Sequence, residues 1–224
     1  MIGFGQMNFK TYVPDDNFET YLENNGMGDG VLLNDSINTL SIEMLMYLDV
    51  SNQNISDLTG IEDFTVLSTL VCGHNQLTSL DVSQNSYLEY FECSFNQITS
   101  LDVSNNPALK NLYCDENQFT SLDLRNGNNT NIIDFFASYN PNLNCINVDN
   151  VAWSTSNWTV MNYQIDSQHY FSTNCAPSNI EEQTTTKELL KVTDLLGRKI
   201  KDSKNTPLFY IYDDRTVERR IIIE

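Results

Sequence analysis

Basic residues are almost missing from most of this chain. Residues 1–186 hold only Lys10, Lys110 and Arg125 against 23 acidic residues, a net charge of −20. Such a body repels phosphate backbones and anionic lipid surfaces, which argues against nucleic acid and acidic membranes as partners. Histidine is equally scarce: His74 and His169 are the only two in 224 residues, which leaves little material for acid–base chemistry. No apolar run reaches the roughly 18 residues that a membrane-crossing helix needs. The sequence also lacks a nucleophile elbow, a His-Glu-x-x-His motif, a phosphate-binding loop and a spaced Cys/His zinc cluster. These absences point away from an enzyme, and no cofactor or metal is expected.

What the chain has instead is a phrase of 21 residues, repeated in Leu67–Tyr87, Leu88–Ala108 and Leu109–Thr130, the last copy one residue longer near Gly127. Its frame is Leu-x-x-Leu/Phe-x-Cys-x-x-Asn-x-apolar-x-x-Leu-Asp-apolar. Leu67, Leu88 and Leu109 align, as do Leu70, Phe91 and Leu112. Weaker copies flank these: Leu45, Leu48, Val50, Gln53, Ile55 and Leu58 upstream, and Ile132, Phe135, Ala137, Asn140, Leu143 and Ile146 downstream. A period of about 20 to 29 residues with this leucine pattern is that of leucine-rich repeats. The fold expected is therefore a solenoid with a parallel β-sheet on its concave face and mostly loop or short strand on its convex side. No repeat can bury its apolar edge alone, so stability is roughly a sum of neighbour contacts.

Within the frame, Asn75, Asn96 and Asn117 sit where the chain leaves the strand, and a short amide there can pair loop backbone groups that would otherwise be buried unsatisfied. Cys72, Cys93 and Cys114 fall on inward positions and read as small apolar fillers. A disulfide or metal site in that column is the alternative reading. His74 reads as a surface loop residue.

The copies are bounded by caps. Pro14–Asn25 reads as a short helix, with Asp15 and Asp16 in its first turn and Phe18 and Leu22 on one face; a strand-like stretch, Ile37–Ile42, follows. Asp29, Asn34 and Asp35 lie in a Gly-rich loop between them without the spacing of an EF-hand. At the other end, Cys145 and Cys175 bracket a segment with Trp153, Trp158, His169 and Tyr170 that has lost the repeat. A disulfide between these two cysteines would staple the terminal cap and implies an oxidising compartment.

The charge changes sign near Thr186: residues 187–224 hold nine basic and seven acidic residues. Residues 176–187 have the polar composition of a linker. Beyond them Leu189–Leu195, Arg198–Lys201, Leu208–Tyr212 and Val217–Ile223, separated by turn residues, suggest a small antiparallel β meander. The phrases Leu-Leu-Lys-Val-Thr-Asp-Leu-Leu-Gly-Arg (189–198) and Leu-Phe-Tyr-Ile-Tyr-Asp-Asp-Arg-Thr-Val-Glu-Arg-Arg-Ile-Ile-Ile-Glu (208–224) resemble the carboxy-terminal sorting domain of the type IX secretion system of Bacteroidetes. The tail is short for such a domain, lacks its Pro-Asn-Pro opening strand, and has Arg215 where a turn glycine is usual. Met1–Gln6 resembles the end of a flavobacterial signal peptide, and the whole chain resembles secreted leucine-rich repeat proteins of marine flavobacteria. That resemblance implies a secreted or outer-surface protein and the type IX machinery as a partner. The organisation expected is 1–6 signal remnant, 7–42 amino-terminal cap, 43–149 repeats, 150–175 carboxy-terminal cap, 176–187 linker and 188–224 sorting-domain-like tail.

Side chains alternate along a strand, so the residues beside each inward leucine and cysteine form the concave face. They are Tyr47, Asp49 and Ser51; Thr69, Val71 and Gly73; Tyr90, Glu92 and Ser94; Asn111, Tyr113 and Asp115; and Asp134, Phe136 and Ser138. Phe95, Glu116 and Tyr139 would rim it. Tyrosines among acidic and small polar residues suit recognition of a protein or a polysaccharide. Solvent-facing strand positions also favour tyrosine by β-propensity alone. The function expected is a non-enzymatic binding module, with a structural or self-associating adhesin as the alternative. A glycosidase built on Glu92 and Asp115 is more remote, because an open ladder is not expected to desolvate either carboxylate.

Overall fold

Leu67, Leu88 and Leu109 are completely buried, and their 21-residue spacing sets the length of one coil of the chain. The computed structural model describes residues 9–175 and three strands of the tail. Met1–Gln6, the 176–187 stretch, Arg198–Lys201 and the Asp194–Arg198 element lie outside the described residues. The chain divides into two units, Met1–Cys175 and Ala176–Glu224.

The first unit runs β1 (Lys10–Tyr12), α1 (Asp16–Asn24), β2 (Ser36–Asn38), β3 (Tyr47–Asp49), β4 (Thr69–Val71), β5 (Tyr90–Glu92), β6 (Ser100–Asp102), β7 (Asn111–Tyr113), β8 (Ser121–Asp123), β9 (Asp134–Phe136), β10 (Cys145–Asn147), α2 (Val151–Asn157) and β11 (Tyr170–Ser172). Strands β3, β4, β5, β7 and β9 form one parallel sheet in that order. Its register joins equivalent repeat positions: Tyr47 pairs Thr69, Thr69 pairs Tyr90, Tyr90 pairs Asn111, and Asn111 pairs Asp134. The return path, expected to be mostly loop with short strands, pairs further into a second parallel sheet in the order β11, β10, β8, β6. The molecule is a leucine-rich repeat solenoid, with one apolar core running from Val13 to Ile165.

Each coil turns by the same device. The third residue after the strand adopts a left-handed backbone, at His74 (φ 54°), Phe95 (55°), Glu116 (52°) and Tyr139 (57°). Bulky residues resist that conformation, and here each is followed by an asparagine that holds the bend. Asn96 donates from Nδ2 to the carbonyls of Cys72 (3.1 Å) and Cys93 (3.1 Å), while its Oδ1 accepts the Leu77 N–H at 3.0 Å. Asn75, Asn117 and Asn140 repeat the pattern. A second column, Asn85, Asn106 and Asn126, does similar work on the return path: Asn106 Nδ2 reaches the carbonyls of Val82 (2.9 Å) and Asn85 (3.0 Å). The three cysteines of the repeats are buried free thiols. Cys72 Sγ and Cys114 Sγ each donate to a carbonyl of the neighbouring strand at 3.3 Å. Burial pushes all three thiols well above their usual pKa, so they stay protonated.

At the amino-terminal end, β1 and β2 pair antiparallel, Thr11 against Ile37, where a single strand-like stretch to Ile42 was expected. The chain instead passes from Asn38 into a single 3₁₀ turn at Thr39–Ser41, because the Asn38 side chain caps the Leu40 N–H. Helix α1 starts later than the sequence suggests, since Asp15 is its cap and not part of its first turn. Asp15 Oδ1 accepts the N–H groups of Asn17 and Phe18 at 3.0 Å. Its Oδ2 accepts Ser56 N–H at 2.8 Å and Ser56 Oγ–H at 2.7 Å. One carboxylate thus fastens the helix to the first coil; burial raises its pKa, and these hydrogen bonds outweigh that and hold it below the ordinary range. Phe18 stacks on Phe64 with centroids 6.4 Å apart. Gly60 lets β1 approach closely: at φ 105° a Cβ there would stand 2.8 Å from the Tyr12 carbonyl.

The other end is closed by Trp158, which is 2% exposed and packs on Phe135 (4.5 Å), Trp153 (5.3 Å) and Phe171 (5.7 Å). Cys145 and Cys175 form a disulfide across this cap, with Cα atoms 5.7 Å apart. Asp166 closes the last asparagine turn in place of a further repeat, accepting Tyr139 N–H and Asn140 N–H at 3.0 Å each.

The second unit contains β12 (Leu189–Thr193), β13 (Pro207–Tyr212) and β14 (Val217–Ile221), paired antiparallel in that order.

Candidate recognition face

The five-stranded sheet presents two lines of outward side chains. Tyr47, Thr69, Tyr90, Asn111 and Asp134 make one; Asp49, Val71, Glu92, Tyr113 and Phe136 make the other. Each has solvent access, whereas the leucine or phenylalanine between them on every strand is buried. Tyr90 lies 5.4 Å from Tyr113, and Tyr113 lies 5.4 Å from Phe136 with the ring planes 6° apart, so an aromatic stripe crosses β5, β7 and β9. Burial and the nearby carboxylates of Glu92 and Asp134 raise the pKa of Tyr90; burial and Asp134 do the same for Tyr113. Both phenols therefore remain uncharged donors at neutral pH.

Two expectations for this face need correction. Gly73, Ser94 and Ser138 are buried, not displayed, because the chain is already bending into the left-handed turn there. Of the third outward position only Ser51 and Asp115 keep partial exposure. The open ladder also does not leave Glu92 fully solvated. Burial, reinforced by the Asp115 charge, holds the Glu92 carboxyl above its ordinary range despite the backbone hydrogen bonds it accepts. Its Oε1 takes Ser94 N–H at 2.9 Å and its Oε2 takes Gly73 N–H at 3.0 Å. The carboxylate occupies the space a Cβ at residue 73 would fill, 2.4 Å from that point. Asp115 Oδ1 accepts Ser94 Oγ–H at 2.9 Å. Glu92 and Asp115 therefore strap adjacent strand ends together.

The expected rim residues Phe95, Glu116 and Tyr139 are joined by His74, which the sequence suggests only as a surface loop residue. His74, Phe95 and Tyr139 are exposed and Glu116 half-buried, each thrown outward by its left-handed backbone. His74 stacks flat on Phe95 at 4.2 Å. Tyr21 of α1 packs partly buried against the core, and burial and then the charges of Asp49 and Tyr47 raise its pKa. Nothing in the helical pattern marks it. The second asparagine column was discoverable, since Asn85 and Asn106 are 21 residues apart, but it lies beyond the part of the phrase that carries the leucines.

In the loop of Asp29, Asn34 and Asp35, Asn34 Nδ2 donates to Asp29 Oδ2 at 3.4 Å. Asp29 pairs with Lys10, while Glu19 accepts Asn34 N–H (2.9 Å) and Asp35 N–H (3.1 Å). Carboxylate oxygens of Asp16, Glu19 and Asp35 come within 4.8 Å of one another, and Glu19 is already committed to the backbone.

No protein-family model matches the chain. Over 78 residues, 35% of the chain, it is 38% identical to Internalin J of Listeria monocytogenes serotype 4b (strain F2365), of whose length it spans 8%. Among solved structures it is similar to the functional domain of InlJ from Listeria monocytogenes, described as including a cysteine ladder. That match has 23% identity and a TM-score of 0.42, covering 76% of this chain and 48% of that one. An internalin, InlF, from L. monocytogenes str. 4b F2365 gives 19% identity and a TM-score of 0.46, covering 71% and 56%. With its own 21-residue coils and parallel sheets, the chain is a leucine-rich repeat protein.

Proposed function

We propose that this protein is a secreted or surface-displayed, non-enzymatic module that binds another protein through the face of its five-stranded sheet. The observation that carries the reading is the Tyr90–Tyr113–Phe136 stripe, which sets three aromatic rings on outward positions of a rigid in-register ladder. Aromatic side chains offer large contact area at low entropic cost and dominate interface energetics. The local likeness to Internalin J supports protein binding or adhesion. Export is supported by the Cys145–Cys175 disulfide, which belongs to oxidising surroundings. The resemblance of the tail to a type IX sorting domain supports that route and the type IX machinery as a transient partner.

A polysaccharide ligand is the second reading, favoured by the same rings, since sugar faces stack on tyrosine. The raised pKa of Glu92 gives the glycosidase reading its one foothold. Both Glu92 oxygens nevertheless accept backbone N–H groups, which suits a strap better than a proton donor. A panel of purified extracellular proteins and a glycan array, probed side by side with the folded chain, test the reading. Binding to proteins is expected; signal on glycans alone transfers the reading to polysaccharide, and concentration-dependent self-association with no other binding transfers it to an adhesin.

A further inference from the structure

The first outward line of the sheet alternates large and small at its amino-terminal end: Tyr47, then Thr69, then Tyr90, on three consecutive paired strands. Two strand spacings separate the tyrosines, so their attachment points stand about 9.5 Å apart with only a threonine between them. The next line, in the same register, places Asp49 beside Tyr47 and Glu92 beside Tyr90, with Val71 between. Tyr47 OH leans over and donates to Asp49 Oδ2 at 3.4 Å. The register thus leaves a gap over the short Thr69 between the two tyrosines, with the Asp49 carboxylate beside Tyr47, while the Glu92 carboxylate beside Tyr90 is already held by the Gly73 and Ser94 N–H groups.

Resting on the reading of this sheet face as a protein-binding surface, we propose that the slot between Tyr47 and Tyr90 seats an arginine side chain of a basic segment on the partner protein.

Three features fit that occupant. A cation at the centre of the slot lies within the roughly 6 Å of both rings over which cation–π attraction operates. A guanidinium is planar, weakly hydrated and able to stack while donating sideways to carboxylates, whereas a lysine ammonium is a compact hydrated point. Among the described residues of the first unit, each basic side chain already has a partner elsewhere: Lys10 pairs with Asp29, Lys110 with Glu89 and Arg125 with Asp123. An acidic body also draws a basic segment in from a distance, speeding encounter.

The test uses fluorescein-labelled hexa-arginine and hexa-citrulline, the latter matching in shape but uncharged, titrated with the full chain. Hexa-arginine is expected to bind and hexa-citrulline not. Thr69→Phe fills the slot without changing charge and is expected to weaken hexa-arginine binding about tenfold, as is Asp49→Asn. Tyr47→Ala removes an exposed wall and serves should the bulkier variant misfold. Asp102→Asn removes an equal charge from the other sheet and is expected to change affinity less than twofold. Equal binding of the two peptides, indifference to both Thr69→Phe and Tyr47→Ala, or an equal loss from Asp102→Asn overturns the proposal. A partner found on the protein panel that contacts this face without a basic segment also overturns it, while leaving the protein-binding reading intact.

Discussion

At the scale of single residues, the asparagines do more than the leucines to define the shape. A buried leucine contributes a transfer energy wherever it is placed, on the order of 2 to 3 kcal/mol. Asn96 instead serves four backbone groups of two adjacent coils, three carbonyls and one N–H, all screened from water. Asn96→Ala is expected to lower stability by about 2 to 4 kcal/mol, as unsatisfied buried groups cost about 1 to 3 kcal/mol each and some relax toward water. Denaturant unfolding of the two proteins measures it. The same substitution frees Phe95 from its left-handed backbone, so the His74–Phe95 stack at 4.2 Å should loosen as well. These roles were partly legible in advance, because Asn75, Asn96 and Asn117 recur with the leucines. The left-handed residues were not, since His, Phe, Glu and Tyr at that position share no chemistry; the backbone imposes the conformation on whatever stands there.

At the scale of elements, the caps show where sequence periodicity stops being informative. Repeats were readable because every coil obeys one pattern, while caps are single solutions. Cys145 and Cys175 announced theirs by being the two cysteines outside the column, and Trp158 by its size. Asp166 gave no such signal, although it closes the last turn by accepting two N–H groups that a further repeat would have met. Its own N–H donates to His169 Nδ1 at 3.2 Å, and His169 Nε2 lies 3.5 Å from Asp166 Oδ2. Burial lowers the His169 pKa, against the opposing pull of Asp166 and the Asn140 backbone. Protonation on Nδ1 would break the bond to Asp166 N–H. Since the folded pKa lies below the unfolded value near 6.5, the unfolded chain binds the proton more readily. The stability held above that pH is therefore lost as pH falls from about 6.5 through the folded value. His169→Gln is expected to flatten the fall in thermal midpoint between neutral and mildly acidic pH; an unchanged slope would place the titration elsewhere. The single carboxylate of Asp15 plays the corresponding part at the opposite end, joining α1 to the first coil.

At the scale of the molecule, the repeat divides labour between its positions. Invariant ones face inward and explain folding; variable ones face outward and differ from coil to coil, so any specificity resides there. The outward residues Tyr47, Asp49, Thr69, Val71, Tyr90, Glu92, Asn111, Tyr113, Asp115, Asp134 and Phe136 were identifiable from alternation, and the sheet sets all of them side by side except Asp115, which lies past the end of β7. Their division into straps, such as Glu92, and free contacts, such as Tyr113, was not, because it depends on hydrogen bonds between residues about 20 apart in sequence. The central claim is that recognition belongs to this face. Its most direct test is the affinity for a partner from the protein panel, compared between Tyr90→Ala/Tyr113→Ala and the return-path pair Thr99→Ala/Thr120→Ala. A loss of about tenfold or more is predicted for the first pair and little change for the second, with both folded. Equal losses, or a loss confined to the return-path pair, would contradict the account.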